Sequence, residues 1–155
     1  MMRKKIIPFM FFLILILSSC TSAQSLLNES IDATALSQIQ VSLAMGNPAY
    51  GAESKIITDP NEISQLVEAF NGAIVGKRVD DDDLFVAGTS KYQFFTNQQI
   101  VHEFIFNGND TLHIWFNGNW HLVDYPEQSP FELYAKSSAN PFIVDENLQP
   151  MEIHE

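Results

Sequence analysis

The sequence predicts an α+β domain in which an antiparallel meander sheet packs against one main helix. Apolar residues alternate along several short segments, as Ile39, Val41 and Leu43 do, which is the period of a half-buried strand. Between residues 60 and 71 the apolar spacing changes to that of a helix. Strand-like segments then follow one another from about residue 84 to residue 123 without an intervening helix, which favours an antiparallel sheet over a doubly wound fold.

The main helix has a clear beginning and end. Asp59 is a typical N-cap, Pro60 suits the first helical position, and Glu62 is placed for a capping box. Asn71 and Gly72 form a stop signal. One apolar stripe lies between them, at Ile63, Leu66, Val67 and Phe70. A second capping signature, from Ser129 to Glu132, predicts a short helix over about 130–136.

The remaining ordered segments are predicted to be strands. Their expected ranges are 37–43, 54–58, 73–75, 84–87, 89–95, 99–106, 111–116 and 120–123. A five-residue turn would set Phe106 opposite Leu112, and a three-residue turn would set Phe116 opposite Trp120. In this register one face of the sheet is apolar, with His102 as its polar member. Its apolar residues are Ile100, Phe104, Phe106, Leu112, Ile114, Phe116, Trp120 and Leu122.

The first twenty residues have the order of an export signal. Three basic residues (3–5) precede a twelve-residue apolar run (6–17), which is too short to span a bilayer that needs about 20 helical residues. Leu17, Ser18, Ser19 and Cys20 then resemble the lipobox of bacterial lipoproteins. The resemblance implies cleavage between Ser19 and Cys20, attachment of a diacylglyceryl group to the Cys20 sulfur, and often acylation of the new amine, for instance with palmitate.

A plain secretory signal and an uncleaved anchor are the alternatives, and the small residues beside Cys20 favour processing. We therefore expect a lipid-anchored protein on the extracytoplasmic face of the cell membrane, or on the outer membrane of a Gram-negative cell. The predicted organisation is a signal peptide (1–19), a lipidated flexible tether (20–36), one domain (37–136) and an extended tail (137–155). Cys20 is the only cysteine, so the domain has no disulfide.

The charge of the mature chain is more negative than that of the whole chain. All 19 acidic residues lie after Cys20 but only five of the eight basic ones do, which gives −14 instead of −11. This charge repels phosphate backbones and so disfavours nucleic acid as a partner. A cationic partner, such as a divalent metal or a basic envelope protein, would be attracted. The alternative is that the charge only keeps the domain soluble.

The face opposite the apolar one offers a candidate ligand site. In the expected register it carries Glu103, His113, Trp115, His121 and Tyr125. Carboxylate, imidazole and aromatic groups together are able to bind a small ligand or a borderline metal. The alternative is the wetted face of an antiparallel sheet, where such residues pair across strands.

A second, weaker candidate is the acidic run Asp80, Asp81, Asp82 and Asp83. Carboxylate oxygens suit Ca²⁺, but consecutive side chains do not converge, and the run lacks the alternation and turn glycine of an EF-hand loop. A solvated, repulsive loop is the alternative.

The sequence contains no recognised catalytic or cofactor-binding motif. It has no Gly-x-Ser-x-Gly, no His-Glu-x-x-His and no phosphate-binding glycine loop. We therefore predict no cofactor and favour a non-catalytic binding or interaction module. The alternative function is an envelope metal-dependent hydrolase that uses Glu103, His113 and His121.

The order of elements between residues 37 and 136 carries a further resemblance. Ile56-Ile57-Thr58-Asp59-Pro60 leads into a helix ending at Phe70-Asn71, and hairpins with Phe116-Asn117-Gly118-Asn119-Trp120 precede a last short helix. This arrangement is similar to that of small uncharacterised lipoprotein domains of Gram-positive bacteria. The resemblance implies an α+β domain and assigns no catalytic residue.

Overall fold

A computed structural model of the protein describes residues 24–44, 51–84 and 88–144. These ranges contain two α-helices, α1 (Pro60–Gly72) and α2 (Pro130–Lys136), and two single-turn 3₁₀ segments, Ala33–Ala35 and Asp81–Asp83. They also contain nine strands: β1 (Gln24–Ser25), β2 (Gln38–Ala44), β3 (Ala52–Ile57), β4 (Ile74–Arg78), β5 (Thr89–Thr96), β6 (Gln99–Asn107), β7 (His113–Phe116), β8 (Asn119–Asp124) and β9 (Phe142–Val144).

All nine described strands form one antiparallel sheet in the order β1-β4-β8-β7-β6-β5-β2-β3-β9. The strands β5 to β8 are neighbours in both sequence and space, and this part is the predicted meander. The α+β class and the antiparallel sheet are therefore confirmed. Strands β1 and β9, at the two edges, have two and three residues, and short edge strands expose few unpaired backbone groups.

One face of the sheet, called the helix face, contacts α1. Phe70 of α1 is fully buried, and its ring centre lies 4.3 Å from that of Phe104, 5.1 Å from that of Phe94 and 5.5 Å from that of Tyr92. The same buried cluster includes the helix residues Ile63, Leu66 and Val67 and the strand residues Ile39, Val41, Ile114 and Val123. Close aromatic packing of this kind is a strong source of stability in a domain that has no disulfide.

The β7–β8 turn corrects the predicted register. Trp115 pairs with Trp120 and Phe116 pairs with Asn119, so the loop has two residues instead of three. Asn117 and Gly118 both have positive φ (50° and 78°), as a type I′ hairpin turn requires. Trp120 and Leu122 therefore lie on the face opposite the predicted one, because a one-residue shift turns every side chain to the other side.

The loop before β7 is longer than predicted, but the number of residues between the paired positions is odd in both cases. Phe106 pairs with Ile114 instead of Leu112, so both buried side chains remain on the helix face. Leu112 precedes β7 and is 53% exposed, so it is not the core residue that the sequence suggested. His102 pairs with Phe94 on the helix face, as predicted.

The segment predicted to be a flexible tether is largely folded. Gln24 and Ser25 pair with β4, and the side chains of Leu26 and Ile31 are buried in the core. The Asn71 side chain accepts a hydrogen bond from the Ile31 amide (2.8 Å) and donates one to the Ile31 carbonyl (3.0 Å). The expectation of a tether over 20–36 is therefore wrong from Gln24 onward.

The C-terminal boundary also moves. The predicted extended tail begins at residue 137, yet Phe142–Val144 forms the ninth strand, paired with residues 52–54 of β3. Residues 145–155, and most of the predicted strand at 84–87, lie outside the described residues.

Both helix starts follow the predicted capping, with one difference. The Asp59 carboxylate accepts hydrogen bonds from the amides of Asn61 and Glu62, and Ser129 and Glu132 form a complete capping box. Glu62 does not complete a capping box with Asp59. Its carboxylate instead accepts hydrogen bonds from Ser137 and Ser138, which follow α2.

Candidate functional site

The structure divides the predicted ligand face. Glu103, His113 and Trp115 do share the face opposite α1, called the open face. His121 pairs with the fully buried Ile114, so it lies on the helix face. The placement of His121 with His113 was wrong because it depended on a three-residue β7–β8 turn.

The contacts of these residues are those of a paired sheet. Glu103 accepts a hydrogen bond from the Gln93 side chain (2.6 Å) across the β5–β6 pair. The Trp115 and Trp120 rings are perpendicular neighbours, 5.2 Å apart. His121 Nδ1 lies 3.1 Å from the Gly76 carbonyl. The hydrolase alternative requires Glu103, His113 and His121 to share one coordination sphere, and the described part of the chain contains no such group.

Tyr125 also departs from the open face. Its hydroxyl donates a hydrogen bond to the Thr111 carbonyl (3.2 Å), and its ring packs against the buried core cluster. Burial raises the pKa of the Tyr125 phenol well above its ordinary value, so the group stays protonated at neutral pH. Tyr125 therefore holds the loop before β7 to the end of β8.

The acidic run forms a single 3₁₀ turn. The Asp83 amide donates to the Asp80 carbonyl (3.0 Å), and the side chains of Asp80, Asp82 and Asp83 are exposed. Among the described residues, no group of three or more His, Cys, Asp and Glu side chains is arranged to hold a metal ion.

The predicted lipidation residues, Ser19 and Cys20, lie outside the described residues. Within the ranges that the structure covers, neither helix has the length and apolar character needed to cross a membrane.

A well-defined cavity among the described residues lies on the helix side of the sheet, and neither sequence-predicted candidate contributes to its lining. We call it the α1–α2 cleft. It has a volume of about 380 Å³, and its lining residues come from the second half of α1, the loop after β8 and α2: Gln65, Glu68, Ala69, Asn71, Gly72, Pro126, Glu127, Gln128 and Leu133. Its volume is within the range of small-ligand sites, at the lower end.

The lining of the cleft combines an apolar floor with an acidic rim. Ala69 and Leu133 are buried, whereas Glu68 and Glu127 are exposed. Among the described lining residues there is no lysine or arginine, so the carboxylates of Glu68 and Glu127 give this lining a net negative charge. An ammonium or guanidinium group is the ligand chemistry that such a rim favours, because two carboxylates are able to accept its hydrogen bonds.

A glycine allows the cleft wall to form. A Cβ atom at residue 72 would lie only 2.9 Å from Cγ of Pro126, closer than real contacts allow. The absence of a side chain at Gly72 therefore lets the loop after β8 approach the end of α1. Asn71, beside it, is committed to the Ile31 backbone.

Buried polar contacts fix α2 at the far side of the cleft. Lys55 on β3 is only 8% exposed, and its ammonium group donates hydrogen bonds to the carbonyls of Tyr134 (3.0 Å) and Ser137 (3.2 Å). The Tyr134 hydroxyl donates to the Glu53 carboxylate (2.5 Å). These contacts set the position of Leu133, which contributes to the cleft wall.

Glu62 connects α1 to the residues after α2. Partial burial raises the pKa of its carboxyl, but hydrogen bonds from Ser137 and Ser138 and the nearby Lys55 charge lower it, and the net shift is downward. Glu62 also lines a second cavity of about 220 Å³, which shares Gln65 and Leu133 with the α1–α2 cleft.

Sequence reasoning missed the cleft, although one signal for it exists. Ala69 and Gly72 are three residues apart, beside the apolar stripe of α1, and small residues at that spacing leave room on one flank of a helix. The second wall comes from residues 126–128, and no local pattern places that loop against α1.

Comparison with protein-family models, with curated proteins and with solved structures found no match to this chain. The resemblance to small lipoprotein domains of Gram-positive bacteria therefore stays a prediction.

Proposed function

We propose that this protein is a lipid-anchored extracytoplasmic binding module that holds a cationic group of its partner in the α1–α2 cleft. In this proposal α1 is the main helix packed on the sheet, and the short α2 closes one side of the site. The observation that carries the proposal is the cavity itself, which joins a buried apolar floor to the carboxylates of Glu68 and Glu127.

The leader supports the extracytoplasmic part of the proposal. Its basic start, its short apolar run and the sequence Leu17-Ser18-Ser19-Cys20 are typical of a lipoprotein signal. Two or three acyl chains on Cys20 would give stable attachment, since a single chain binds a bilayer only marginally. The anchor is tested by labelling cells with a lipid precursor. The Cys20→Ala variant should lose the label and keep its leader, and unchanged labelling would refute the anchor.

The cleft is tested with trilysine as a cationic probe and with triglutamate as its anionic counterpart. We expect the full-length protein in detergent to bind trilysine in a salt-sensitive way and to show no measurable binding of triglutamate. Glu68→Gln combined with Glu127→Gln should weaken trilysine binding by about threefold to tenfold, as expected for the loss of two exposed ion pairs.

Glu103→Gln is the matched control, because it removes one carboxylate from the open face and none from the cleft. It should leave trilysine binding nearly unchanged. If the control weakens binding as much as Glu68→Gln alone or Glu127→Gln alone does, the cleft is not the site and the overall charge explains the affinity.

A further inference from the structure

We infer that the β1 edge of the sheet faces the lipid bilayer and that the β9 edge projects away from it. This inference rests on the proposed lipidation of Cys20. The surface is the β1 edge, formed by β1 and its neighbour β4, and its partner is the membrane that holds the anchor.

The first step is that the chain is held in the fold almost immediately after the anchor. Gln24 pairs with Val75 of β4, and the Leu26 amide donates to the Ala73 carbonyl (3.0 Å). The buried side chains of Leu26 and Ile31 and the two hydrogen bonds of Asn71 extend this attachment.

The second step is the reach of the intervening chain. Only three residues, 21–23, separate Cys20 from Gln24. An extended chain advances at most about 3.6 Å per residue, so Gln24 lies within about 14 Å of the lipidated residue, whatever the conformation between them. The headgroup region on one side of a bilayer is about 5–8 Å thick, so β1 stays close to the membrane surface at which Cys20 would be held.

The third step is the position of the opposite edge. Eight strand-to-strand steps separate β1 from β9 in the sheet. At about 4.8 Å each they amount to about 38 Å along the sheet. The short connection therefore keeps β1 at the membrane, and the β9 edge, about 38 Å away along the sheet, is the part of the sheet that is free to project from it.

Part of the charge distribution favours this orientation. After Cys20 the chain has only five basic residues, and one of them, Lys55, is buried. Two of the other four, Lys77 and Arg78, are exposed on β4, the strand next to β1. They lie toward the end of β1 at which the chain enters that strand. They offset part of the repulsion that anionic headgroups exert on an acidic domain, including the run at 80–83.

The test uses two isoleucines as matched positions. Ile74 on β4 is 41% exposed and Ile143 on β9 is 59% exposed, so cysteine at either position should leave the core intact. Because Cys20 is the only native cysteine and is blocked by lipid, each engineered cysteine is the sole free thiol. Each full-length lipidated variant is labelled with a fluorophore and reconstituted in vesicles containing phosphatidylethanolamine, phosphatidylglycerol and a headgroup-labelled nitroxide lipid.

We expect the fluorophore at residue 74 to be quenched at least about twice as strongly as the one at residue 143. Equal quenching, or stronger quenching at 143, in protein that floats with the vesicles would overturn the orientation and leave the anchor intact. Loss of flotation in the lipid-processed preparation would overturn the anchor and, with it, this inference. Circular dichroism of both variants confirms that the substitutions preserve the fold.

Discussion

The ammonium group of Lys55 lies 4.6 Å above the Tyr134 ring and donates a hydrogen bond to the Tyr134 carbonyl at 3.0 Å. One buried charge on β3 thus contacts both the ring and the backbone of α2. Cations near the last turn of a helix interact favourably with its unpaired carbonyls. The contact explains how a helix of only seven residues keeps a fixed position against the sheet.

Lys55→Met should destabilise the domain by about 1–3 kcal/mol, the usual cost of leaving buried polar groups without a charged partner. The loss is measured by urea unfolding followed by fluorescence. Lys91→Met is the control, since Lys91 lies on the open face and its pairing partners are on β2 and β6. It should change stability by less than about 0.5 kcal/mol. Equal losses would show that Lys55 has no special role in holding α2.

Glu62 should make part of the stability depend on pH. Its pKa is lower in the folded protein than in the unfolded chain, so the folded state favours the charged form. The resulting stabilisation is complete at neutral pH and decreases as the pH falls from about 5 through the folded pKa. In Glu62→Gln the unfolding free energy should be lower at pH 7 and should fall less steeply between about pH 5 and pH 3. Parallel curves for the two proteins would contradict this prediction.

The local elements were predictable because their signals are local. Three features depend only on residues that are close in the sequence. They are the cap at Asp59, the apolar stripe that ends at Phe70, and the alternation in β2. The structure agrees with all three. By contrast, the Ser138 amide donates a hydrogen bond to the Glu62 carboxylate, which is 76 positions away in the sequence. No local pattern encodes this contact.

The register error has a specific physical origin. A three-residue turn would gather every apolar residue on one face, but the conformational preference of Asn117-Gly118 for a two-residue type I′ turn prevails. Trp120 is buried despite lying on the open face, so burial on that side is possible for a large aromatic residue. Hydrophobic pattern alone therefore did not determine the face, and the candidate site built on it was divided.

Asn71 should be essential for the attachment of the first described segment. Asn71→Ala removes both hydrogen bonds to the Ile31 backbone and leaves a partly buried amide and carbonyl without them, at a cost of about 1–3 kcal/mol. Amides from Leu26 to Ile31 should then exchange hydrogen faster, as measured by mass spectrometry. Asn61→Ala is the control, because Asn61 uses only its backbone amide at the Asp59 cap. Unchanged exchange in Asn71→Ala would contradict the role of this side chain.

The pairing of Trp115 with Trp120 provides a direct solution test of the β7–β8 register. Their ring centres are 5.2 Å apart with an interplanar angle of 67°, close enough for the two indoles to couple electronically. We expect an exciton couplet in the far-ultraviolet circular dichroism spectrum of the folded protein. It should disappear in Trp115→Phe and in Trp120→Phe.

The wild-type couplet separates this register from the three-residue alternative, and Phe116→Leu is the control. Phe116 pairs with Asn119, so its substitution should leave the couplet in place. In the alternative register Phe116 would face Trp120, the two tryptophans would lie on opposite faces, and no couplet would arise. Because the chain has only two tryptophans, a couplet has no other indole source, and its absence from the folded wild-type protein would contradict the two-residue turn.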